Sequence, residues 1–285
     1  MLFLDYDAFD GLRGKKHPWC TWTQWKNRYV ISEDYFGRPI KYDEDALMAV
    51  MKRYALVARL DDCYDMPDSE DIDVYTPLPG PACTYLHKLQ RFEPRLTDDC
   101  TVDLTTGGSR YIKMYEITSG FVKRTSQDDS PLTFHTPRIE ALEDIISGTD
   151  DKVVVFCHFT YSVRSAAELC RKYGETVTMD GQSASDSWLK FQDGTARYII
   201  CQYQSGGVGI DLYASHTCVF YEPTMSTLLL DQAKARIRRK GQTKHCLYYH
   251  IFTDEVDKRI SDTVRSGVDV TSSMLEEWDK ADREK

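Results

Sequence analysis

The sequence predicts an α/β fold in which helices flank a parallel sheet. From residue 137 onward, apolar segments of strand length alternate with segments that have the three- and four-residue spacing of amphipathic helices. The predicted strands 152–157 and 196–201 contain the apolar runs VVVF and YIIC, which are typical of parallel strands buried on both faces. Because crossovers join parallel strands, we expect functional residues at the carboxyl edge of this sheet.

The same signals predict the other elements in chain order. Upstream, apolar spacing predicts a helix over 43–60, and a run of seven acids without a base predicts a solvated loop over 61–73. A short strand at 75–78, a helix over 81–92 and a polar break over 97–110 follow. Downstream, we expect strands at 176–179, 216–221 and 245–252, and helices over 161–173, 184–192, 227–239 and 254–264.

Composition excludes several classes of protein. Of the 285 residues, 41% are hydrophobic and 28% are charged, and no apolar run approaches the ~18 residues of a membrane span. The first residues resemble no secretory signal, and nine cysteines without a CxxC pair favour reduced thiols in the cytoplasm. The net charge of −9 argues against a wholly basic nucleic-acid coat protein, although the basic residues of 234–244 leave a local patch possible.

A glycine-rich segment follows the predicted strand 196–201. It reads QSGGVGIDL over 204–212, with three glycines in four positions. Glycines let a backbone approach a phosphate closely, and Asp211 could accept a hydrogen bond from a ribose hydroxyl. Taken alone, this segment is better explained as an ordinary turn at a strand end.

A second segment, QAKARIRRKGQ over 232–242, points more specifically to phosphate chemistry. On a continuous helix, Gln232, Arg236 and Arg239 would share one face. Two guanidiniums directed at one point suit a polyphosphate, and an arginine on a γ-phosphate can raise the hydrolysis rate by several powers of ten. The alternative is a solvated basic helix.

These segments resemble the second motor lobe of superfamily 2 helicases, in particular the SWI/SNF-type branch and its bacteriophage relatives. The resemblance is densest over 136–266, and segments 77–89 and 116–122 resemble the connector between the two lobes. It implies a RecA-like parallel sheet flanked by helices, preceded by the connector and a mostly helical remnant of the first lobe. The residues that carry it are KVVVFCHFTYSV (152–163), Asp180-Gly181 with Trp188 and Phe191, SGGVGIDL (205–212), QAKARIRRKGQ (232–242) and TDEVDKRI (253–260).

The resemblance also implies roles for individual residues. It makes Arg239 the arginine finger and Arg236 and Gln232 residues of the ATP site or of its coupling to DNA. The loop that links the nucleotide to the DNA track is implied to contain three further residues, Gly207, Gly209 and Asp211. Contacts to nucleic acid are implied for Ser205, Gly206 and His158.

The sequence does not contain the other half of such a motor. No GxxxxGK[ST] loop occurs, and the acid pairs Asp43-Glu44 and Asp254-Glu255 are better explained as helix N-termini than as magnesium ligands. We therefore expect ATP and Mg²⁺ to be held mainly by a first lobe absent from this chain. Met1 to Asp10 resembles the end of that lobe, so the expected division is 1–135 for the remnant and connector, 136–270 for the C-terminal lobe and 271–285 for a tail helix.

Two functions follow from this interpretation. In the first, the chain is the C-terminal part of an ATP-dependent DNA helicase or translocase, inactive alone, whose partners are single- or double-stranded DNA and a first lobe in trans, but no membrane. In the second, it is a non-catalytic regulatory protein that binds DNA or a partner. Either function is expected in the cytoplasm, which is that of the host cell if the protein is viral.

Two other clusters have simpler explanations. The cysteines and histidines on neighbouring predicted strands alternate between sheet faces, so we expect no metal site there. Trp19, Trp22, Trp25 and Tyr29 have a helical rhythm that favours packing over base stacking.

Overall fold

The computed structural model describes residues 22–33, 37, 39–52, 63–78, 80–125, 130–181, 186–206 and 209–283. Within these ranges, the residues up to Tyr64 and those from Asp65 onward form two compact units. The predictions for 1–10, for Trp19 and for 53–60 lie outside the described residues. The expected boundaries at 135/136 and 270/271 follow from the resemblance and stay predictions.

The first unit consists of α1 (Trp22–Tyr29), β1 (Val30–Glu33), β2 (Pro39–Tyr42) and α2 (Glu44–Met51), with the two strands antiparallel. Trp25 stacks on Trp22 at 5.2 Å between ring centroids and lies 5.6 Å from the ring of Tyr29. These rings therefore pack against one another. Asp43 accepts a hydrogen bond from the backbone of Ala46 and so caps α2, as the sequence interpretation of Asp43-Glu44 required.

A six-stranded sheet forms the centre of the second unit, and every neighbouring pair of its strands is parallel. The spatial order is β3-β12-β11-β8-β10-β9, which confirms the predicted parallel sheet. Five strands lie within one or two residues of their predicted bounds. The six strands are β3 (Ser69–Tyr75), β8 (Val153–Cys157), β9 (Thr176–Met179), β10 (Tyr198–Gln202), β11 (Thr217–Phe220) and β12 (Cys246–Phe252).

Helices and two small antiparallel hairpins complete this unit. The hairpins pair β4 (Arg95–Thr97) with β5 (Cys100–Thr101) and β6 (Phe121–Val122) with β7 (Leu132–Thr133). Among the described residues, no helix is both long and apolar enough to cross a membrane. The helices are α3 (Gly80–Gln90), α4 (Gly107–Thr118), α5 (Arg138–Ser147), α6 (Thr160–Cys170), α7 (Ser187–Gln192), α8 (Tyr203–Gly206), α9 (Thr227–Ile237), α10 (Glu255–Arg265) and α11 (Ser272–Arg283).

The continuously apolar strands have a core on each face of the sheet. Because side chains alternate along a strand, Val154 and Phe156 enter one core while Val153 and Val155 enter the other. Helices α5 and α6 cover the second core, and α3, α4, α9, α10 and α11 cover the first. Burial on both faces is the reason that VVVF and YIIC carry no polar residue.

Three features differ from the sequence-based predictions. The acidic segment predicted as a loop contains the edge strand β3, since its acids are paired with cations of the neighbouring strand and helices. Helix α4 begins inside the predicted polar break, where Thr106 and Ser109 form a reciprocal capping box that allows the helix to start at Gly107. Helix α9 ends at Ile237 rather than Arg239, because Arg238 leaves helical geometry with ψ of 81°.

A buried ion pair joins the elements at the carboxyl edge of the sheet. Arg138 and Asp257, both with fully buried side chains, form a salt bridge. The Arg138 guanidinium also donates hydrogen bonds to the carbonyls of Tyr221 and Ile251, beyond β11 and within β12, and to the carbonyl of Thr118 at the end of α4. Asp257 accepts from the hydroxyl of Thr118 at 2.8 Å, so one network holds two strands and helices α4, α5 and α10 together.

We expect Asp257→Ala to lower the free energy of unfolding by about 3–5 kcal/mol, because it leaves the Arg138 charge buried without its counter-ion. Urea denaturation measures this loss. The double variant Arg138→Met/Asp257→Leu should recover most of it, and Arg95→Ala, which breaks an exposed pair, should change little. A loss from Asp257→Ala no larger than that from Arg95→Ala would contradict the assignment.

The edge strand β3 is attached through Asp71. Its carboxylate accepts from Lys234 of α9 at 2.5 and 2.8 Å and lies 2.7 Å from Nε2 of His250 on β12. Burial alone would raise the pKa of Asp71, but the hydrogen bonds from His250 and Lys234 outweigh it and hold this pKa well below its usual range. The acidic strand is therefore tied to the helix that carries Arg236.

Asp71→Asn should cost about 1.5 kcal/mol of unfolding free energy at neutral pH, since it removes a charged acceptor shared by two cations. A depressed carboxyl pKa contributes stability that is present above the unfolded-state pKa and is lost as the pH falls. The difference between wild type and variant should therefore shrink below about pH 4 in urea titrations. Glu70→Gln is the control, because Glu70 lies 3.9 Å from a half-exposed His245. A difference that does not depend on pH would argue against this role.

Candidate functional site

The predicted arginines lie at and just beyond the end of α9. Arg236 is in its last turn, and Arg239 follows the helix in a turn that Gly241 continues with a left-handed φ of +105°. The sequence predicted that Arg239 shares a helical face with Gln232. This prediction is wrong, because Arg239 lies beyond the end of the helix. Gln232 is half-buried on α9, four residues before Arg236.

Both arginines contact the loop that follows the glycines. Nη1 of Arg239 lies 2.5 Å from Oδ1 of Asp211, and both side chains are about 40% exposed (43% and 38%). Nη1 of Arg236 donates to the carbonyl of Ile210 at 3.2 Å, and the carbonyl of Arg236 accepts from the backbone N–H of Leu212 at 2.9 Å. The loop and the arginine turn are thus joined by three contacts, which we call the arginine–loop unit (residues 209–212 and 236–239).

The electrostatics of this unit favour an anion. Burial lowers the pKa of Arg236, the nearby charge of Arg239 lowers it further, and Asp211 partly opposes both effects. The two guanidiniums thus repel each other, and Asp211 is the carboxylate paired with Arg239. A second anion would relieve the repulsion, and planar guanidiniums suit phosphate oxygens.

Gln242, the last residue of the segment QAKARIRRKGQ, is a structural residue for which the sequence analysis predicted no role. Its amide nitrogen donates to the carbonyls of Ser215 at 2.7 Å and Tyr213 at 3.2 Å, and its amide oxygen accepts from the backbone N–H groups of Thr243 and Lys244 at 3.0 Å. Because Gln242 is buried and both its amide nitrogen and its amide oxygen make hydrogen bonds, it fixes the turn after Arg239. The Gly-Gln step directly after the arginines was the available signal.

The arginine–loop unit does not lie at the carboxyl edge of the sheet, where functional residues were expected. Helix α9 leaves the carboxyl end of β11 and returns the chain to the amino end of β12, so its last turn lies toward the amino edge. The hydroxyl of Ser215, on the same loop as Asp211, donates to the carbonyl of Lys152 just before β8. The crossover helix, rather than the strand end, therefore positions the arginines.

The residues expected to contact nucleic acid are the ones at the carboxyl edge. Ser205 lies in α8 directly after β10, and Gly181, with φ of +74°, follows β9. A Cβ on Gly181 would lie 3.4 Å from the Ser205 hydroxyl oxygen, so the Asp-Gly step and the serine are neighbours. Gly206 ends α8, Gly209 has a left-handed φ of +76°, and Gly207 lies outside the described residues.

His158 follows β8 on the same edge. Its ring lies 5.3 Å from that of Tyr115 and 4.8 Å from that of Phe159, and burial lowers the pKa of this imidazole to about 4. At neutral pH it is therefore uncharged and can meet nucleic acid only as a hydrogen-bonding or stacking group. Its backbone N–H donates to the buried carboxylate of Glu222 at 2.8 Å.

Glu222 was not predicted as part of this edge. It follows β11, its side chain is buried, and it accepts hydrogen bonds from the Ser162 hydroxyl as well as from His158. Burial raises the pKa of Glu222, while Arg138 and these hydrogen bonds oppose the rise. Its place directly after a strand end was the only available sequence signal.

The described residues do not fit a resident metal ion. No group of three or more histidines, cysteines or acids among them is arranged to hold one. Asp254 accepts from the backbone of Val256 and caps α10, which agrees with the interpretation of Asp254-Glu255 as a helix N-terminus. The basic patch of 234–244 is largely paired, since Lys234 contacts Asp71, Arg239 contacts Asp211 and Lys244 contacts Asp151.

Comparisons with known proteins show which proteins the second unit resembles. Residues 137–241 match the family model of the helicase conserved C-terminal domain. The chain is 25% identical over 150 residues, half of its length, to the DNA repair and recombination protein RAD54 of Saccharomyces cerevisiae. The DNA repair protein rhp54 of Schizosaccharomyces pombe is equally similar over the same length. These matches span 17% and 18% of the two relatives, so the chain corresponds to a small part of each.

Solved structures agree on the fold. The C-terminal part of the Fun30 ATPase domain superposes with a TM-score of 0.57 and 16% identity, over 77% of this chain and 99% of that one. The Sulfolobus solfataricus SWI2/SNF2 ATPase core in complex with dsDNA superposes with a TM-score of 0.51 and 18% identity, over 92% of this chain and 57% of that one. Residues 137–241 therefore match the helicase conserved C-terminal domain, and the second unit has the fold of the C-terminal part of such ATPases.

Proposed function

We propose that this chain supplies the arginine finger and the DNA-coupling loops of an ATP-dependent DNA helicase or translocase whose ATP site is completed by a separate first lobe. The observation that carries the proposal is the arginine–loop unit. Two guanidiniums and the loop that follows the glycines form one connected piece, and this is the arrangement needed to link a phosphate to a DNA-facing loop. Arg239 is the finger, and Arg236 anchors the loop.

The proposed chemistry is a change of partner at Arg239. In the structure, the carboxylate of Asp211 neutralises the charge of the Arg239 guanidinium. When a first lobe brings the γ-phosphate of ATP to this surface, Arg239 exchanges the carboxylate for the phosphate and stabilises the charge that develops during hydrolysis. Because the exchange releases Asp211, one of the three contacts that hold the loop 209–212 then depends on the state of the nucleotide, while the two contacts to Arg236 remain. Gln232, one turn before Arg236, faces the same substrate in this proposal.

The loop extends this coupling to the carboxyl edge. Ser205 and Gly206 lie directly after β10, and residues 209–212, a few positions later in the sequence, contact Arg236. We assign Ser205, Gly206 and His158 to the DNA backbone, since a small side chain, a glycine backbone and a neutral imidazole can approach phosphates and sugars without a charge of their own. The lobes would close on ATP and open after hydrolysis, which moves them along DNA. The crystallised Sulfolobus SWI2/SNF2 core with dsDNA favours duplex DNA as the track.

Arg239→Ala should abolish DNA-stimulated phosphate release in a mixture of this chain, a cognate P-loop-bearing first lobe and duplex DNA. Removal of an arginine finger lowers turnover by about a thousandfold or more, since the γ-phosphate charge loses its partner. A coupled phosphate-release assay measures this. Lys240→Ala is the matched control, because it removes an exposed charge from the adjacent position.

A second readout separates catalysis from DNA binding. The Arg239→Ala mixture should bind duplex DNA with the affinity of the wild type in fluorescence anisotropy. Equal loss of hydrolysis and of DNA affinity would assign the arginines to DNA instead. If wild type stimulates no cognate first lobe while still binding DNA, the chain is the non-catalytic DNA-binding protein of the second hypothesis.

A further inference from the structure

A cavity of about 290 Å³ opens at the carboxyl edge beside His158. Its walls come from β6, from the segment that joins β8 to α6, and from the end of β10 with the start of α8. The cavity is thus assembled from the same strand ends that carry Ser205 and His158. None of the roles assigned above to the arginine–loop unit uses it.

Aromatic rings form one side of this cavity. The ring of Phe121 lies 4.6 Å from that of Tyr161, tilted by 33°, and 5.1 Å from that of Phe159, nearly perpendicular to it. Phe121 is buried and held by the core, whereas Tyr161 and Phe159 are half-exposed. A supported ring with an accessible face is a platform on which a planar group can stack.

Polar groups on the other side suit a heterocycle rather than a phosphate. Gln202 and Gln204 bring two amides to the cavity wall. The amide nitrogen of Gln202 also donates to the carbonyl of His158 at 3.3 Å, so its amide oxygen and its second N–H are the groups it offers to a base. Its single lysine, Lys123, is exposed, and its histidine is neutral because burial lowers the pKa of His158 to about 4. A phosphate enclosed there would meet little positive charge, whereas the edge of a nucleobase would meet matching amides.

We propose that this cavity receives one unstacked nucleobase from the DNA that the carboxyl edge contacts. The base stacks on Tyr161, its edge bonds to Gln202 and Gln204, and Lys123 meets the flanking phosphate. A volume of about 290 Å³ is sufficient for one base with part of its sugar. The inference rests on the proposed function, because it needs DNA at this edge, but it adds a preference for an unpaired nucleotide that a motor tracking intact duplex does not require.

The test compares two DNA duplexes, one fully paired and one with a single-nucleotide bulge, by fluorescence anisotropy with the full chain. The wild type should bind the bulged duplex about tenfold more tightly, since one base–aromatic stack is gained. Tyr161→Ala should remove this preference and leave affinity for the paired duplex unchanged, and Tyr161→Phe should retain it. Tyr173→Ala, a half-exposed tyrosine after α6, is the matched control and should behave as wild type.

A third DNA distinguishes binding of the unpaired base from binding of the flexible backbone at the bulge. A bulge that contains an abasic sugar keeps the flexible backbone but offers no ring, so its preference should be lost. Equal affinity for the abasic and the base-containing bulge would overturn the proposal, as would a preference that survives Tyr161→Ala in a variant whose thermal midpoint matches wild type. Absence of binding to any of the three DNAs would instead count against the proposed DNA contact at this edge, and with it against both proposals.

Discussion

The buried guanidinium of Arg138 is the constraint on which the carboxyl edge depends. A fully buried charge is costly unless its hydrogen bonds and its counter-ion are in place, and here they come from the ends of two strands and from helices α4 and α10. The network therefore fixes where several strand ends lie relative to one another. Glu222, which holds the backbone of His158, belongs to the same buried polar layer. The carboxyl edge that we propose contacts DNA is thus held by the buried charges of Arg138, Asp257 and Glu222, which have few alternative arrangements.

The arginine–loop unit is held in a different way. Its ion pair between Arg239 and Asp211 is partly exposed, so it contributes little to stability and can be exchanged at small cost. The contrast has a physical meaning for a motor lobe. In the proposed cycle, the contacts that persist are buried and fully satisfied, while the contact proposed to change partner is at the surface. Asp71, which ties α9 to the edge strand, lies between these two extremes, with its carboxylate about one-third exposed.

Much of the fold could be predicted because the parallel strands are buried on both faces. The continuously apolar runs VVVF and YIIC predicted strands at 152–157 and 196–201, and the structure has them at 153–157 and 198–202. The edge strand β3 could not be predicted in this way, since Asp71 and Asp73 resemble a solvated loop until their partners Lys234, His250 and Arg265 are known. Those partners are more than 160 residues away along the chain.

The site was partly predictable for a similar reason. The spacing of Arg236 and Arg239 indicated a shared target, and both do contact one loop, but the helix end at Ile237 and the pairing with Asp211 depend on tertiary contacts. Glu222 carries no motif of its own, and Gln242 is marked only by the Gly-Gln step after the arginines. Their roles come from backbone groups that only the folded chain brings within hydrogen-bonding distance.

The most direct measurement is a structure of this chain with a cognate first lobe, duplex DNA and ADP–aluminium fluoride, which mimics the transition state of phosphoryl transfer. The account predicts that the Arg239 guanidinium lies about 3 Å from a fluoride and has left Asp211, with residues 209–212 displaced. A closed complex in which Arg239 remains on Asp211 while another cation contacts the fluoride would contradict it.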